Sequence, residues 1–546
     1  MKVAVIGGTG VFGERLVRLL LRDGHKVVVV GRNAATLARL SAELGVENLI
    51  LNRTADLGPL WALGLAVVVD AAGPFHAYGP DPYRLPRAAM DQGVHYLDLA
   101  DDAAFCAGIR VLDGPARAAG VFALSGMSSV PGLSSVVVAS LVQGLSEIDT
   151  ISTAILPGNR APRGRSVVDS ILHQVGRDFD SVIDGRPQPV RSWSRRQRFN
   201  LGADIRSGWM IEVPDQRLFP SFFSARTVEF RAGMELGVMN RGLALLSWLR
   251  GRLGFGMPGW RVGLVRFGAG VLSPFGSNRG GMQVSVTGRG PEGWVQRRWT
   301  LTVGSGEGPF IPGIAVRSIL RDITTVQPGA RPGLAEVHLP IVAAAMDDLD
   351  VTLARLDQPL IPLMQQVLGA DFARLPASVR ASHDHAGPRR WAGLATISRG
   401  NSLLARAIAR VFRFPVAGRD VPVTVLKTPS ATGEVWDRQF GPGQFRSHLR
   451  QSGPGITERF GPMTFLLRLH VADAALHFPV QAGWFLGVPM PVVLLPRSIA
   501  REFEKDGQLQ FDVALYAPFG AGLIVRYAGY LAPANGPDLQ ADTKPV

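Results

Sequence analysis

Three glycines at the head of the chain have the spacing to handle a phosphate. The chain opens Met1-Lys2-Val3-Ala4-Val5-Ile6-Gly7-Gly8-Thr9-Gly10-Val11-Phe12-Gly13. An apolar run of strand length stops at glycines and restarts as a helix with an apolar face at Leu16, Val17, Leu19 and Leu20. Gly8-x-Gly10-x-x-Gly13 therefore stands where a dinucleotide fingerprint must, after a strand and opening a helix. In that pattern Gly8 permits the tight turn, Gly10 lets the backbone approach a pyrophosphate, and Gly13 lets helix and strand pack closely. The helix start adds free N–H groups and a positive dipole end.

A second apolar strand, His25–Val30, ends Gly31-Arg32-Asn33. A carboxylate in that slot would accept the ribose 2′-hydroxyl of NAD; Arg32 in its place suits a 2′-phosphate, so NADP is expected over NAD. Nicotinamide carries the hydride, and the protein must position a substrate carbon and move one proton. No Tyr-x-x-x-Lys pair occurs near the crevice, and the middle of the chain has no lysine. The proton carriers expected from the sequence are Tyr78 and His76, just past the turn Ala71-Ala72-Gly73-Pro74-Phe75.

The elements that position these residues alternate. Strands at Asn48–Asn52, Leu65–Asp70, His95–Leu99 and Val121–Leu124 are interleaved with helices, which means a parallel, doubly wound Rossmann sheet. Gly7–Gly13, then Ala71–Phe75 with Tyr78-Gly79, then Gly93-Val94-His95-Tyr96-Leu97-Asp98-Leu99 resemble the saccharopine dehydrogenase / saccharopine reductase-like family over roughly residues 1–345. The resemblance implies an oxidoreductase fold in which Gly7, Gly10, Val11, Phe12, Gly13, Arg32, Ala72 and Gly73 line the cofactor. Gly8, Thr9, Asn33, Ala71, Pro74 and Asp98, beside them at the strand ends, complete the expected cofactor set. The chain departs from the family at Ala100-Asp101-Asp102, where relatives carry Gly-Glu.

After about Val130 the pattern changes to an α+β substrate domain with an open antiparallel sheet. Gln283–Gly288 and Trp294–Val303 alternate strictly around a glycine turn and read as a hairpin. The loop Pro157–Gly164 offers Arg160 and Arg163 either to an acidic group or to solvent. Met239–Phe275 mixes Leu, Trp, Phe and Arg without the roughly 18 apolar residues of a membrane span. It reads either as a buried helix pair or as a peripheral membrane contact. His383-Asp384-His385 has no third ligand cluster beside it, so no metal site is expected.

The C-terminal part is β-rich: eight candidate strands between Val421 and Leu531 suggest a curved or barrel-like sheet. Residues 359–532, with Trp436–Phe440, Glu458–Gly461 and Gly487–Pro496, resemble a domain of unknown function often fused behind such modules. Arg438, Glu458 and Arg459 read there as a buried ionic cluster. The expected domains are thus 1–127, completed by about 305–345; 128–304; 359–532; and a disordered tail, 533–546.

Composition bounds the rest. At 546 residues the chain needs two or three cores. Cys106 is the one cysteine, so no intrachain disulfide forms. Residues 1–150 hold 12 Lys and Arg against 14 Asp and Glu, so the net charge of +14 lies downstream. The basic residues are dispersed and no nucleic-acid module appears, so no nucleic-acid partner is expected. No signal-peptide h-region is visible; a cytoplasmic enzyme, peripheral to the inner face of the membrane if the interfacial reading holds, is expected, and a homodimer is open. The leading functional expectation is an NADP-dependent oxidoreductase on an apolar, lipid- or polyketide-derived small molecule. A non-catalytic nucleotide-binding scaffold or sensor, and an imine or amino-acid reductase of the saccharopine type, are the alternatives.

Arg32→Asp is expected to weaken NADPH binding about tenfold or more while leaving NADH binding little changed, measured by cofactor fluorescence titration. Equal losses for both cofactors would remove the argument from Arg32.

Overall fold

In the computed structural model the described residues are 1–162, 165–202, 204–254, 263, 268, 270–272, 274–412, 414–430 and 432–534. Arg163, most of 255–273 and nearly all of the expected tail lie outside them. The chain divides into two compact units, 1–286 with 296–358, and 287–295 with 359–546.

Unit one holds two seven-stranded sheets and a two-stranded ribbon, Asp178–Ile183 with Arg186–Arg191. The first is built from β1 (Lys2–Ile6), β2 (Lys26–Gly31), β3 (Glu47–Ile50), β4 (Val67–Asp70), β5 (His95–Asp98) and β6 (Phe122–Ser125), with α1 (Val11–Arg22) and α2 (Ala34–Leu44) after the first two strands. The order is β6-β5-β4-β1-β2-β3, and a seventh strand, Gly329–Pro332, returns from far downstream to pair with β6 in parallel. Val3, Ala4, Val5 and Val27–Val30 are buried on both faces, as a parallel sheet between helix layers requires. β1 and β4 are neighbours although β2 and β3 intervene in sequence, so the strand order reverses there and opens a crevice at their C-terminal ends.

The second sheet has seven strands and is mixed: Glu147–Leu156 and Thr227–Ala232, at its middle, run parallel. The expectation of a wholly antiparallel sheet fails at that pair. A parallel pair needs a long crossover, and here it is the whole segment between Leu156 and Thr227; within it the helix Pro214–Phe222 joins Ile205–Met210 to Thr227–Ala232, which pair antiparallel. The expected hairpin is there, as Gly280–Gly290 and Gly293–Val303. The helix Gly237–Leu253 turns Leu243 and Ser247 inward and leaves Leu245, Trp248 and Leu253 exposed. Arg160 donates to the Pro274 carbonyl (3.0 and 3.2 Å), so its guanidinium is already engaged. No helix among the described residues is long and apolar enough to cross a membrane.

Unit two carries one thirteen-stranded sheet whose paired strands are antiparallel. Arg389–Arg399, Arg497–Lys505 and Val480–Phe485 belong to it and were not among the eight expected strands. Arg497–Lys505 is hidden from a hydrophobic pattern because its inward residues are Ser498, Ala500 and Glu502. Of the expected ionic cluster, Arg438 reaches Glu458 (3.2 Å), while Arg459 is exposed, its side chain on the opposite face of the strand from Glu458. His383 and His385 turn to separate partners, the Glu502 carboxylate (2.6 Å) and the Gly387 carbonyl (2.8 Å).

Arg317 clasps unit one. Only 2% exposed, it donates to both oxygens of Asp23 (2.8 and 2.7 Å), to Asp348 (2.5 and 3.2 Å) and to the Ala345 carbonyl (2.9 Å). Asp23 ends α1, so the clasp binds the returning segment to the first helix of the chain. Although burial opposes ionisation, the two arginines 317 and 321 hold the Asp23 carboxyl well below its usual range. Arg317→Met removes the cation shared by Asp23 and Asp348 and leaves them to Arg321 and Arg22; it is expected to cost about 2 kcal/mol, read as a lower denaturation midpoint of the N-terminal unit.

Candidate functional site

The glycine turn after β1 is fixed by backbone contacts. Gly7, not Gly8, is its left-handed residue, with φ at +73°. A Cβ there would come within 2.6 Å of Ala72 Cα. Gly8 is glycine for packing, since its Cβ would meet Val29 Cγ1 at 2.8 Å. Gly13 is the tightest of the three: its Cβ would lie 2.2 Å from the Gly7 carbonyl oxygen. Around exposed Gly10 only the Gly7 oxygen comes near, at 3.1 Å, so its outer face is open. No side chain caps α1. Its first N–H groups therefore point at an open cradle of the kind a pyrophosphate fills.

Two arginines stand at the neighbouring strand ends. Arg32 follows β2 and is exposed. Arg53, past β3, was not foreseen; it is separated from its strand by Leu51 and Asn52 and carries no motif. Its guanidinium lies 3.0 Å from the centroid of the Tyr78 ring, and its Nη1 is buried without a hydrogen-bond partner. Desolvation lowers its pKa, and Arg32 contributes to the lowering. An orphaned cationic donor beside a second arginine fits a phosphate group. Asn33, expected among the cofactor residues, uses its side chain to cap α2 by accepting from the Thr36 amide (2.9 Å).

The carboxylates at the ends of β4 and β5 are buried and sit in register. Asp70 accepts from the Ala72 amide (3.0 Å) and the Tyr78 hydroxyl (3.0 Å), which shapes the Ala71-Ala72-Gly73-Pro74 turn. Burial pushes Asp70 up to about 6. Asp98 accepts at Oδ1 from the Ala100 and Gly126 amides (2.9 and 2.7 Å) and the Ser125 hydroxyl (3.0 Å). It has no exposed surface, so the expectation that it contacts the cofactor is corrected: it ties the turns after β5 and β6 together. Burial lifts it to about 7. Of the expected proton carriers, Tyr78 is held by Asp70, and His76 is exposed with its ring stacked on His173 at 4.7 Å.

Beside this crevice lies a cavity of about 280 Å³ within unit one. It starts at Phe12 of the glycine turn and runs over Val130, Ile171, Trp193, Phe230 and Met282. Its acidic groups are Asp101 and Glu212, and no Arg or Lys among the described residues lines it. Burial raises the pKa of Asp101, and Asp102 adds to the rise. Burial likewise raises Glu212. Asp101 stands at the family departure noted in the sequence, and only the fold brings it to this wall.

A parallel sheet with a glycine cradle at its switch point defines a nicotinamide-dinucleotide-binding module of the oxidoreductase type. Residues 3–124 match the family model of the saccharopine dehydrogenase NADP binding domain, and residues 375–531 match a domain of unknown function, DUF4166. Among solved structures, apo saccharopine dehydrogenase (L-Glu forming) from Saccharomyces cerevisiae is 14% identical, covering 65% of this chain and 99% of its own, with a TM-score of 0.49. A Gfo/Idh/MocA family oxidoreductase from Vibrio cholerae is 10% identical over 63% of this chain and 94% of its own, with a TM-score of 0.30. A probable dehydrogenase from Thermotoga maritima is 10% identical over 63% and 93%, with a TM-score of 0.29. No curated protein matches the chain.

Asp98 binds a proton in the folded state at a pH where the unfolded chain has released it, so stability falls as pH rises from about 4 to about 7. Asp98→Asn mimics the protonated carboxyl and is expected to flatten that slope, measured by thermal unfolding across the pH range. An unchanged slope would show that Asp98 is not its source.

Proposed function

We propose that the chain is an NADP-dependent oxidoreductase that transfers hydride to or from an apolar small molecule held in the cavity beside Phe12. The observation that carries this reading is an apolar cavity that starts at Phe12 of the glycine turn and holds one half-buried carboxyl, Asp101, beside the exposed Glu212. The 2′-phosphate of the dinucleotide is assigned to Arg32 and Arg53, its pyrophosphate to the N–H groups of Val11–Gly13, since the Gly10 N–H donates to the Gly7 carbonyl (2.8 Å). NADP, once bound, supplies the hydride; the chain's residues supply position and a proton. Phe12, Val130 and Trp193 exclude water from the reacting carbon. Asp101, kept protonated to higher pH than an ordinary carboxyl, gives its proton to the developing oxyanion or takes it back in the reverse direction. Tyr78 and His76 become positioning residues: Tyr78 braces Arg53 and Asp70, and His76 stacks beside the cavity's outer edge.

The saccharopine-type alternative is disfavoured by charge. An α-keto acid would bring a carboxylate to a wall that carries Asp101 and Glu212 and, among the described residues, no cation.

Asp101→Asn is expected to lower kcat for NADPH-dependent reduction by about 10²-fold or more, with NADPH affinity unchanged. In the parent enzyme kcat should fall as pH rises through the raised Asp101 pKa, and the variant should lose that limb. A panel of apolar ketones, enones and imines that consumes no NADPH, with NADPH binding intact, would favour the non-catalytic reading.

A further inference from the structure

Unit two contains a cavity that the hydride chemistry does not use. It encloses about 420 Å³ and is walled by the inward residues of the thirteen-stranded sheet. That volume falls among small-molecule pockets, which run from about 300 to 1,000 Å³. Cores are filled to the density of organic crystals, so a space of this size lined by Val423, Val425, Phe440, Val513 and Leu515 is not ordinary packing.

The polar groups in the wall define one end of an occupant. Arg438 donates to the Ser447 hydroxyl (2.7 Å) and to Glu458 (3.2 Å), with its guanidinium 4.7 Å from the Trp436 centroid. Lys427, 2% exposed, donates to the Ser382 carbonyl (3.1 Å) and meets His383 Nδ1 at 3.3 Å, while the opposite ring nitrogen of His383 meets Glu502 at 2.6 Å. Arg438 meets Glu458, Arg501 of the wall lies 3.9 Å from Asp512, and Lys427 sits in the field of the Glu502 and Glu434 carboxylates, reaching Glu502 through His383. The wall therefore offers donors and acceptors to a neutral polar group and no surplus charge to an anionic one.

The mouth defines the other end. Phe460 pairs with Met463, and Met463 with Phe485, along adjacent strands; the Phe412 and Phe414 rings stand 5.9 and 5.8 Å from Phe460. All five line the cavity. Beyond Phe485 the chain continues through Leu486, Val488, Val492 and Val493, which are 61–77% exposed. An apolar rim around an apolar mouth is what a bilayer surface covers.

We propose that unit two takes up a single-chain neutral lipid, an acyl or isoprenoid chain ending in a hydroxyl or carbonyl, from a membrane on which this rim rests. The proposal is independent of the hydride-transfer reading.

The test uses the full chain, with oleyl alcohol and oleate as probes and native mass spectrometry as the count. One oleyl alcohol per chain is expected, with oleate at least tenfold weaker. Ala500→Trp, which fills the cavity, should cut oleyl alcohol affinity at least tenfold with NADPH binding intact. The exposed triple variant Leu486→Ser, Val492→Ser, Val493→Ser should load normally from dilute ethanol but at least tenfold more slowly from phosphatidylcholine vesicles. Failure to bind oleyl alcohol, equal binding of oleate, or undiminished loading of the rim variant from vesicles overturns the proposal. Should Ala500→Trp fail to fold, the wild-type selectivity and the rim variant still decide it.

Discussion

The N-terminal unit depends on the contact between Gly13 and the Gly7 carbonyl. With a Cβ–oxygen distance of 2.2 Å if any side chain were present, α1 can lie across the end of β1 only because residue 13 has none. That closeness aims the free N–H groups of α1 over Gly10. Gly7 in turn presses on Ala72, so the turn after β4 takes its place from the turn after β1. The crevice is a stack of backbone against backbone, and its shape follows from sterics that no side chain can relax.

Charge is arranged around this stack by burial. Asp70 and Asp98 have no access to water and hold the turns through amide hydrogen bonds. Carboxyls so placed resist ionisation, which the network tolerates because Asp98 makes its three bonds through one oxygen. Arg317 solves the opposite problem. It is buried as a cation and matched by two carboxylates, and it joins helices nearly 300 positions apart in the chain. The discontinuity of the unit therefore costs no loose end: the strand Gly329–Pro332 and the Arg317 clasp return together.

Legibility varied with how local the signal was. The strand-turn-helix at residues 2–22 was readable because apolar period and glycine spacing lie within one stretch. The hairpin of Gly280–Val303 was readable because its alternation is strict. Arg497–Lys505 was not, since its inward face carries Ser498, Ala500 and Glu502 and shows no hydrophobic period. The parallel pair in the second sheet is not legible because its direction depends on the long connection from Leu156 to Thr227, not on either strand's composition. Leu360–Arg380, which reads as one helix, is broken at Gly369 and Pro376 into Leu363–Leu368 and Ala377–His383 with a short 3₁₀ turn between.

The sequence by itself determined the class of cofactor cradle, the basic residue after β2, the absence of a disulfide framework and the β-rich character of the C-terminal part. These follow from covalent neighbours: a turn, a cap or a strand period is decided within a few residues. Only the tertiary structure decided that Gly7 makes the tight turn, that Asp98 is a buried tie, that Arg53 joins Arg32, and that Asp101 faces an apolar cavity starting at Phe12. The same holds for the cavity of unit two, whose lining comes from strands scattered over more than a hundred residues. Burial and proximity are properties of the folded chain, and it is burial that gives a carboxyl or a guanidinium its chemistry.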